Sequence, residues 1–125
     1  MSIDEGAGPA YSGVLSSLFS SRAVSQIMDF FIDHKEFDYS PGEIAKKTGL
    51  SFRTIFRELP NLEKNQLIYV SRKIGKTNMY MLNTDFEAVV HLEKFVLDLS
   101  QIQASEEEEE EEDMKVKVDV TEIKE

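Results

Sequence analysis

The sequence of 125 residues contains no cysteine, which excludes disulfides, thiolate zinc sites and cysteine nucleophiles. Only His34 and His91 remain for metal binding or proton transfer. No apolar run approaches the roughly 20 residues that span a bilayer, so no membrane partner is expected. Residues 1–13 open with acids and small residues and lack the basic start and long apolar stretch of a signal peptide. The expectation is an intracellular, cytoplasmic chain. The length suits one ordinary domain and is too short for most doubly wound or barrel folds that hold cofactors, so no cofactor is expected.

Catalytic patterns are equally thin. Gly75-Lys76-Thr77 matches the end of a phosphate-binding loop, but Val70 stands where that motif needs glycine, and the segment reads as lying between strands. Glu87 and His91 lie four apart on one predicted helix face. Two ligands are only half a metal site, and an exposed histidine is the commoner meaning. His34 falls near a predicted helix C-terminus, where a histidine complements the helix dipole. With no nucleophile–base pair visible, the expectation is a protein that is not an enzyme and binds no metal.

The formal net charge of −10 first argues against a nucleic-acid partner, because phosphates repel an acidic protein. The location of the charge reverses that argument. Residues 105–125 carry eleven acidic side chains, including the unbroken glutamates 106–112, against three lysines, which is −8. Asp4 and Glu5 add −2, and residues 14–104 are neutral. Within them, residues 40–80 hold Lys46, Lys47, Arg53, Arg57, Lys64, Arg72, Lys73 and Lys76 against Glu43, Glu58 and Glu63, which is +5. The chain reads as a basic module with an acidic tail.

Hydrophobic spacing orders the module. Val24, Ile27, Met28, Phe31 and Ile32 form one helical face, capped by Ser20 or Ser21 and ending near His34, Lys35 and Phe37. Ser40-Pro41-Gly42-Glu43 is a capping box with proline at the first helical position, and Thr48-Gly49 stops the short helix it opens. Leu50 reads as the apolar plug of the turn. Ser51 caps a further helix whose buried stripe is Ile55, Leu59 and Leu62, and Pro60 should bend that helix. The period then changes. Residues 67–71 and 77–82 alternate as strands, joined by the basic segment 72–76 with Gly75 for the turn. Thr84 and Glu87 suggest another capping box, opening a helix over 84–103 in which Val89, Leu92, Val96 and Leu99 keep coiled-coil spacing.

Ser40-Pro41-Gly42-Glu43-Ile44-Ala45, Thr48-Gly49-Leu50-Ser51, Thr54-Ile55-Phe56-Arg57 with Leu59 and Leu62, Leu67-Ile68 and the basic residues 72–76 resemble, in this order and spacing, the winged helix-turn-helix fold of prokaryotic, particularly archaeal, transcription regulators. The resemblance covers about residues 14–100. It implies a mainly α fold with a small β-hairpin (α+β), a long C-terminal helix and an acidic tail. It also implies a transcription regulator that binds double-stranded DNA sequence-specifically as a homodimer. Asn65-Gln66 departs from the pattern, since many relatives place a glycine before the wing strand.

The residues agree physically. Burying Ile55, Leu59 and Leu62 turns Phe52, Arg53, Thr54 and Arg57 outward behind Ser51, at the helix end that enters a major groove. An arginine bridging guanine contributes roughly 1–3 kcal/mol of discrimination. Thr54 is placed for a phosphate or a thymine methyl, and Phe52 for a thymine methyl. Lys46 and Lys47 are placed for phosphates, and Arg72, Lys73 and Lys76 for phosphates or the minor groove. Taken singly, a surface lysine or arginine ordinarily only solvates its helix, and Phe52 and Phe56 would more often be core. The seam Val89, Leu92, Val96 and Leu99, helped by residues 14–22, is the expected dimer surface, setting two recognition helices about 34 Å apart.

The expected organisation is a flexible leader at 1–13, the winged domain at 14–104, an acidic linker at 105–113 and a strand-like tail at 114–125. The tail alternates apolar and polar from Met114 to Val120. Such a strand needs an edge to pair with, which motivates an alternative reading: a winged-helix protein-interaction module in a larger assembly, with a protein partner at 114–125. The acidic run either lies over the basic face in place of DNA or serves as a solubilising spacer.

Overall fold

Three serines open three helices, as their spacing predicts. Ser21 Oγ accepts from Val24 N at 3.4 Å and begins α2 (Arg22–Asp33). Ser40 Oγ accepts from Glu43 N at 3.1 Å while Glu43 Oε1 accepts from Ser40 N at 3.0 Å, the full capping box of α3 (Pro41–Thr48). Ser51 Oγ accepts from Thr54 N at 3.1 Å and begins α4 (Phe52–Lys64). Each cap satisfies an amide with no partner inside its helix, worth about 1 kcal/mol. Gly49 takes φ 76, the left-handed conformation that ends α3 and reverses the chain into α4. Despite Pro60, α4 runs on to Lys64.

The computed structural model describes residues 11–124, with side chains through Val116; most of the expected leader lies outside the described residues. The chain divides into two units, Met1–Asn83 and Thr84–Glu125. The first holds the short α1 (Val14–Leu18), then α2, α3 and α4, then an antiparallel hairpin of β1 (Ile68–Ile74) and β2 (Thr77–Leu82). The architecture is mainly α with one small hairpin. Its core holds Val24, Ile27, Met28 and Phe31 of the face read for α2, whose fifth member Ile32 is half-buried, with Ile44 of α3, the stripe Ile55, Leu59 and Leu62 of α4, and Leu67, Ile68, Met79 and Leu82 at the hairpin. Fully burying one such side chain stabilises by roughly 1.5–3 kcal/mol.

The hairpin differs from expectation at its tip. Residues 72–74 belong to β1, and Gly75 (φ 63) with Lys76 forms a two-residue turn between the paired Ile74 and Thr77. The register shifts between Val70 and Arg72, leaving Ser71 as a bulge. An isolated bridge adds a third partner, Tyr39 and Tyr80 exchanging both backbone bonds at 2.8 Å.

The second unit contains α5 (Glu87–Lys124), 38 residues long. Val90 N bonds Phe86 O, so Phe86 holds the cap position and Glu87 is the first helical residue, not the third residue of a box capped by Thr84. The helix also runs through both the expected linker and the expected strand. Glutamate is a good helix former, and a segment continuing an existing helix incurs no nucleation cost. Lys115 lies beside Glu111 and Glu112, one turn earlier, the favourable order for a Glu–Lys pair. A helical backbone bonds its own amides and carbonyls, so residues 114–124 offer no strand edge, and the strand reading is replaced.

Gln66 occupies the position where the resemblance leads one to expect glycine, and it takes φ 63, the single positive φ of a non-glycine among the described residues. Asn83 Nδ2 donates to its carbonyl at 2.9 Å and holds it there. Left-handed backbone costs a residue with a Cβ roughly 1–2 kcal/mol, partly offset by glycine's greater freedom when unfolded. Gln66→Gly should therefore raise stability by up to about 1 kcal/mol and Gln66→Val should lower it by more than about 1 kcal/mol, as read by urea denaturation.

Candidate nucleic-acid interface

The orientation of α4 follows from its buried stripe. With Ile55, Leu59 and Leu62 inward, Phe52, Arg53, Phe56 and Arg57 are exposed on its first two turns, and Thr54 is half-buried. The Ser51 hydroxyl, already the cap, also donates to Thr54 Oγ1 at 3.0 Å, so the two groups placed for polar contacts hold one another. Lys46 and Lys47 are exposed on the last turn of α3, where cations complement the helix C-terminus. Lys73 and Lys76 are exposed on the hairpin. The ten expected interface residues all lie in the first unit, and eight of them are basic or on α4 and exposed; Thr54 is half-buried and Ser51 serves its helix.

Two of the arginines carry structural duties that spacing did not show. Arg57 Nε bonds Glu58 Oε2 at 3.2 Å, and that same oxygen accepts from Ser21 Oγ at 3.1 Å. Glu58, 8% exposed, is the one charged residue among the buried described residues. A buried carboxylate needs such partners, because leaving one uncompensated is strongly destabilising. One hydroxyl thereby both caps α2 and ties it to α4. Its sequence signal was position: Glu58 lies three after Ile55 and four before Leu62, on the buried stripe.

Arg72 is held by Asp38, Nε to Oδ2 at 2.8 Å and Nη2 to Oδ1 at 3.2 Å, and Ser71 Oγ donates to the same Oδ2 at 2.6 Å. Neighbouring residues of a regular strand point to opposite faces; the bulge at Ser71 breaks that alternation, and both reach one carboxylate. The two-pronged bond from Arg72, then the Ser71 hydroxyl, hold the Asp38 carboxyl below its ordinary range, and Asp38 in turn raises Arg72. Arg72 is thus an anchor of the hairpin to the segment before α3. The pairing spans 34 residues and has no local signature.

Phe52 and Phe56 are 57% and 58% exposed and stack on each other, ring centroids 5.8 Å apart and planes 18° apart. With Pro41, Gly42, Lys76 and Tyr80 they line an open cleft of about 350 Å³ between the start of α3, the start of α4 and the hairpin turn. The side-chain oxygen Oδ1 of Asn78, also lining the cleft, is buried without a hydrogen-bond partner. Phe56 and Asn78 are not among the ten residues expected from the sequence. Their signals were the i, i+4 spacing from Phe52 and the alternation of β2.

The histidines are accounted for locally. His34 caps α2, its Nδ1 2.9 Å from Phe30 O and its ring stacked on Phe30 at 4.7 Å. His91 Nε2 lies 3.6 Å from Glu87 Oε1, both exposed. Among the described residues no three potential ligands gather as a metal site, and no helix is long and apolar enough to cross a membrane.

The Asp38 contacts have a pH signature. A carboxylate whose pKa is depressed by folding contributes stability that is present above its unfolded value and lost as pH falls through the folded value. Asp38→Asn should therefore destabilise most at neutral pH, and its difference from the parent should shrink below the ordinary carboxylate range. Urea denaturation at pH 7 and at about pH 3 checks this, the latter lying below the usual aspartate value near 3.9.

No protein-family model matches the sequence, and no curated protein matches it. Solved structures do. MepR of Staphylococcus aureus, a transcription regulator of the multidrug efflux pump MepA, superposes with a TM-score of 0.59 at 22% identity, over 83% of this chain and 78% of that chain. MepR in its DNA-binding conformation gives 0.57 at 20% identity, over 87% and 81%. A homodimeric winged helix-turn-helix DNA-binding domain from Mycobacterium bovis gives 0.54 at 20% identity, over 72% and 78%. At these identities the likeness speaks to architecture, and it agrees with the element order α2, α3, tight turn, α4, hairpin: the chain has the winged helix-turn-helix fold, with α4 as its second helix and β1–β2 as its wing.

Proposed function

We propose that this protein is a transcription regulator that binds double-stranded DNA sequence-specifically as a homodimer. The observation that carries the reading is the outward face of α4, with Arg53, Phe52 and Phe56 exposed on the first two turns, together with Lys46 and Lys47 exposed on the last turn of α3 and Lys73 and Lys76 exposed on the hairpin. The N-terminal turns of such a helix reach base edges in a major groove, and the surrounding lysines neutralise phosphates. Arg53 is the direct base reader. Arg57 and Arg72 contribute charge while holding Glu58 and Asp38. The related folds that are described as DNA-binding regulators support this assignment.

Dimerisation rests on α5. Val89 has no exposed surface, so the seam proposed here runs along Leu92, Val96 and Leu99. Leu92 and Val96 are half-buried, and Phe95, Leu99 and Ile102 are exposed at helical spacing beside them. A second copy of the same stripe covers these side chains as a coiled-coil seam does.

Salt titration tests the DNA reading. Affinity for duplex should fall linearly with salt on logarithmic axes. Lys46→Ala with Lys47→Ala should reduce the slope by about 0.9 for every phosphate that these lysines neutralise in the parent. Arg53→Ala should cost roughly 1–3 kcal/mol on the preferred site and less elsewhere. A chain with no duplex affinity at low salt sinks the proposal. For the dimer, sedimentation equilibrium should give twice the chain mass, and Phe95→Asp with Leu99→Asp should give the monomer; a parent that is monomeric at micromolar concentration refutes it.

A further inference from the structure

Two phenylalanines stacked in solvent, at the DNA-facing end of the second helix, call for an occupant. Phe52 and Phe56 sit one turn apart on α4, and neither contributes to the core. The pair is pre-ordered: the rings brace each other, and Phe52 lies across the start of α3, where a Cβ on Gly42 would approach its Cζ to 3.2 Å. Glycine there leaves the ring its place. Lys76 lines the cleft beside this apolar surface, and the exposed Arg53 follows Phe52 on α4, so the partner it fits combines negative charge at its rim with a small apolar feature at its centre.

We infer that Phe52 and Phe56 form an apolar reading surface for the 5-methyl groups of thymine in the major groove. The inference rests on the DNA-binding proposal above and adds which bases are read and by what. Among the base edges of the major groove only thymine presents a methyl group, and phenylalanine is among the side chains that contact it. Arg53, between the two rings in sequence, supplies guanine readout beside them. The preferred site is then a T·A step adjoining a G·C pair. Burying one methyl on an apolar surface is worth about a fourfold change in affinity.

Deoxyuridine isolates that methyl, because it keeps every hydrogen-bonding group of thymine. The full chain selects its site from a random duplex library, and affinities are then measured for the selected duplex and for copies with each thymine replaced by deoxyuridine. The parent should lose about threefold to fivefold per substituted thymine at the read positions and nothing for substitutions outside the site. Phe52→Ala with Phe56→Ala, at exposed positions, should bind the thymine duplex more weakly and no longer distinguish it from the uracil duplex. Equal affinity of the parent for both duplexes overturns the inference, as does full discrimination by the double variant; either leaves DNA binding intact. Absence of binding to any duplex at low salt overturns the DNA proposal and this one together. Equal affinity of the parent for the two duplexes overturns the inference even if the double variant does not fold.

Discussion

The first unit depends on how α4 is buried. Ile55, Leu59 and Leu62 have no exposed surface to speak of, and they meet Ile44 of α3 and the α2 stripe in one core. Because a helix turns 100° per residue, burying those three leaves no freedom in where the others point. Phe52, Arg53, Phe56 and Arg57 are outward for the same reason that Leu59 is inward. The tight reversal at Gly49 and the Ser51 cap set where α4 begins, and so which residues occupy its first turn. A slip of one residue would put Phe56, Pro60 and Glu63, or Thr54, Glu58 and Asn61, in the places of Ile55, Leu59 and Leu62.

Two carboxylates keep this arrangement together at its polar margins. Glu58 gathers Ser21 and Arg57, joining the start of α2 to the middle of α4. Asp38 gathers Ser71 and Arg72, joining the segment before α3 to the wing. Each uses an arginine from the basic surface. Fewer of its cations can therefore reach a ligand without giving up an internal bond than the eight basic residues of that stretch. Lys46, Lys47, Arg53, Lys73 and Lys76 are the ones whose loss should change affinity with least cost to the fold.

Much of the fold was legible in advance because its signals are local. Serine followed three residues later by an amide to cap, glycine where the chain reverses, and a 3.6-residue period all act within one or two turns, and Ser21, Ser40, Ser51, Gly49 and the α4 stripe appear as read. The errors lie where two local rules compete. At residues 114–124 alternation suggested a strand, but a lone strand has no partner, and the helix running in from Glu87 satisfies the same backbone without one. At 84–87 the serine-type cap pattern was present, yet the chain enters the helix at Phe86.

The sequence was enough for the order of the elements, the core stripe of each helix and the confinement of positive charge to residues 40–80, since these follow from short-range spacing and composition. Folding in three dimensions settled which charged side chains are committed to one another and which stay exposed. Asp38 and Arg72 are 34 residues apart, and Ser21 and Glu58 are 37 apart. Only a shared core brings such groups within 3.2 Å, and only a bulge turns Ser71 and Arg72 to the same carboxylate. The stacking of Phe52 on Phe56 in solvent was likewise undecided by hydrophobicity, which favours burial of both; the volume inside was already filled by Ile55, Leu59 and Leu62.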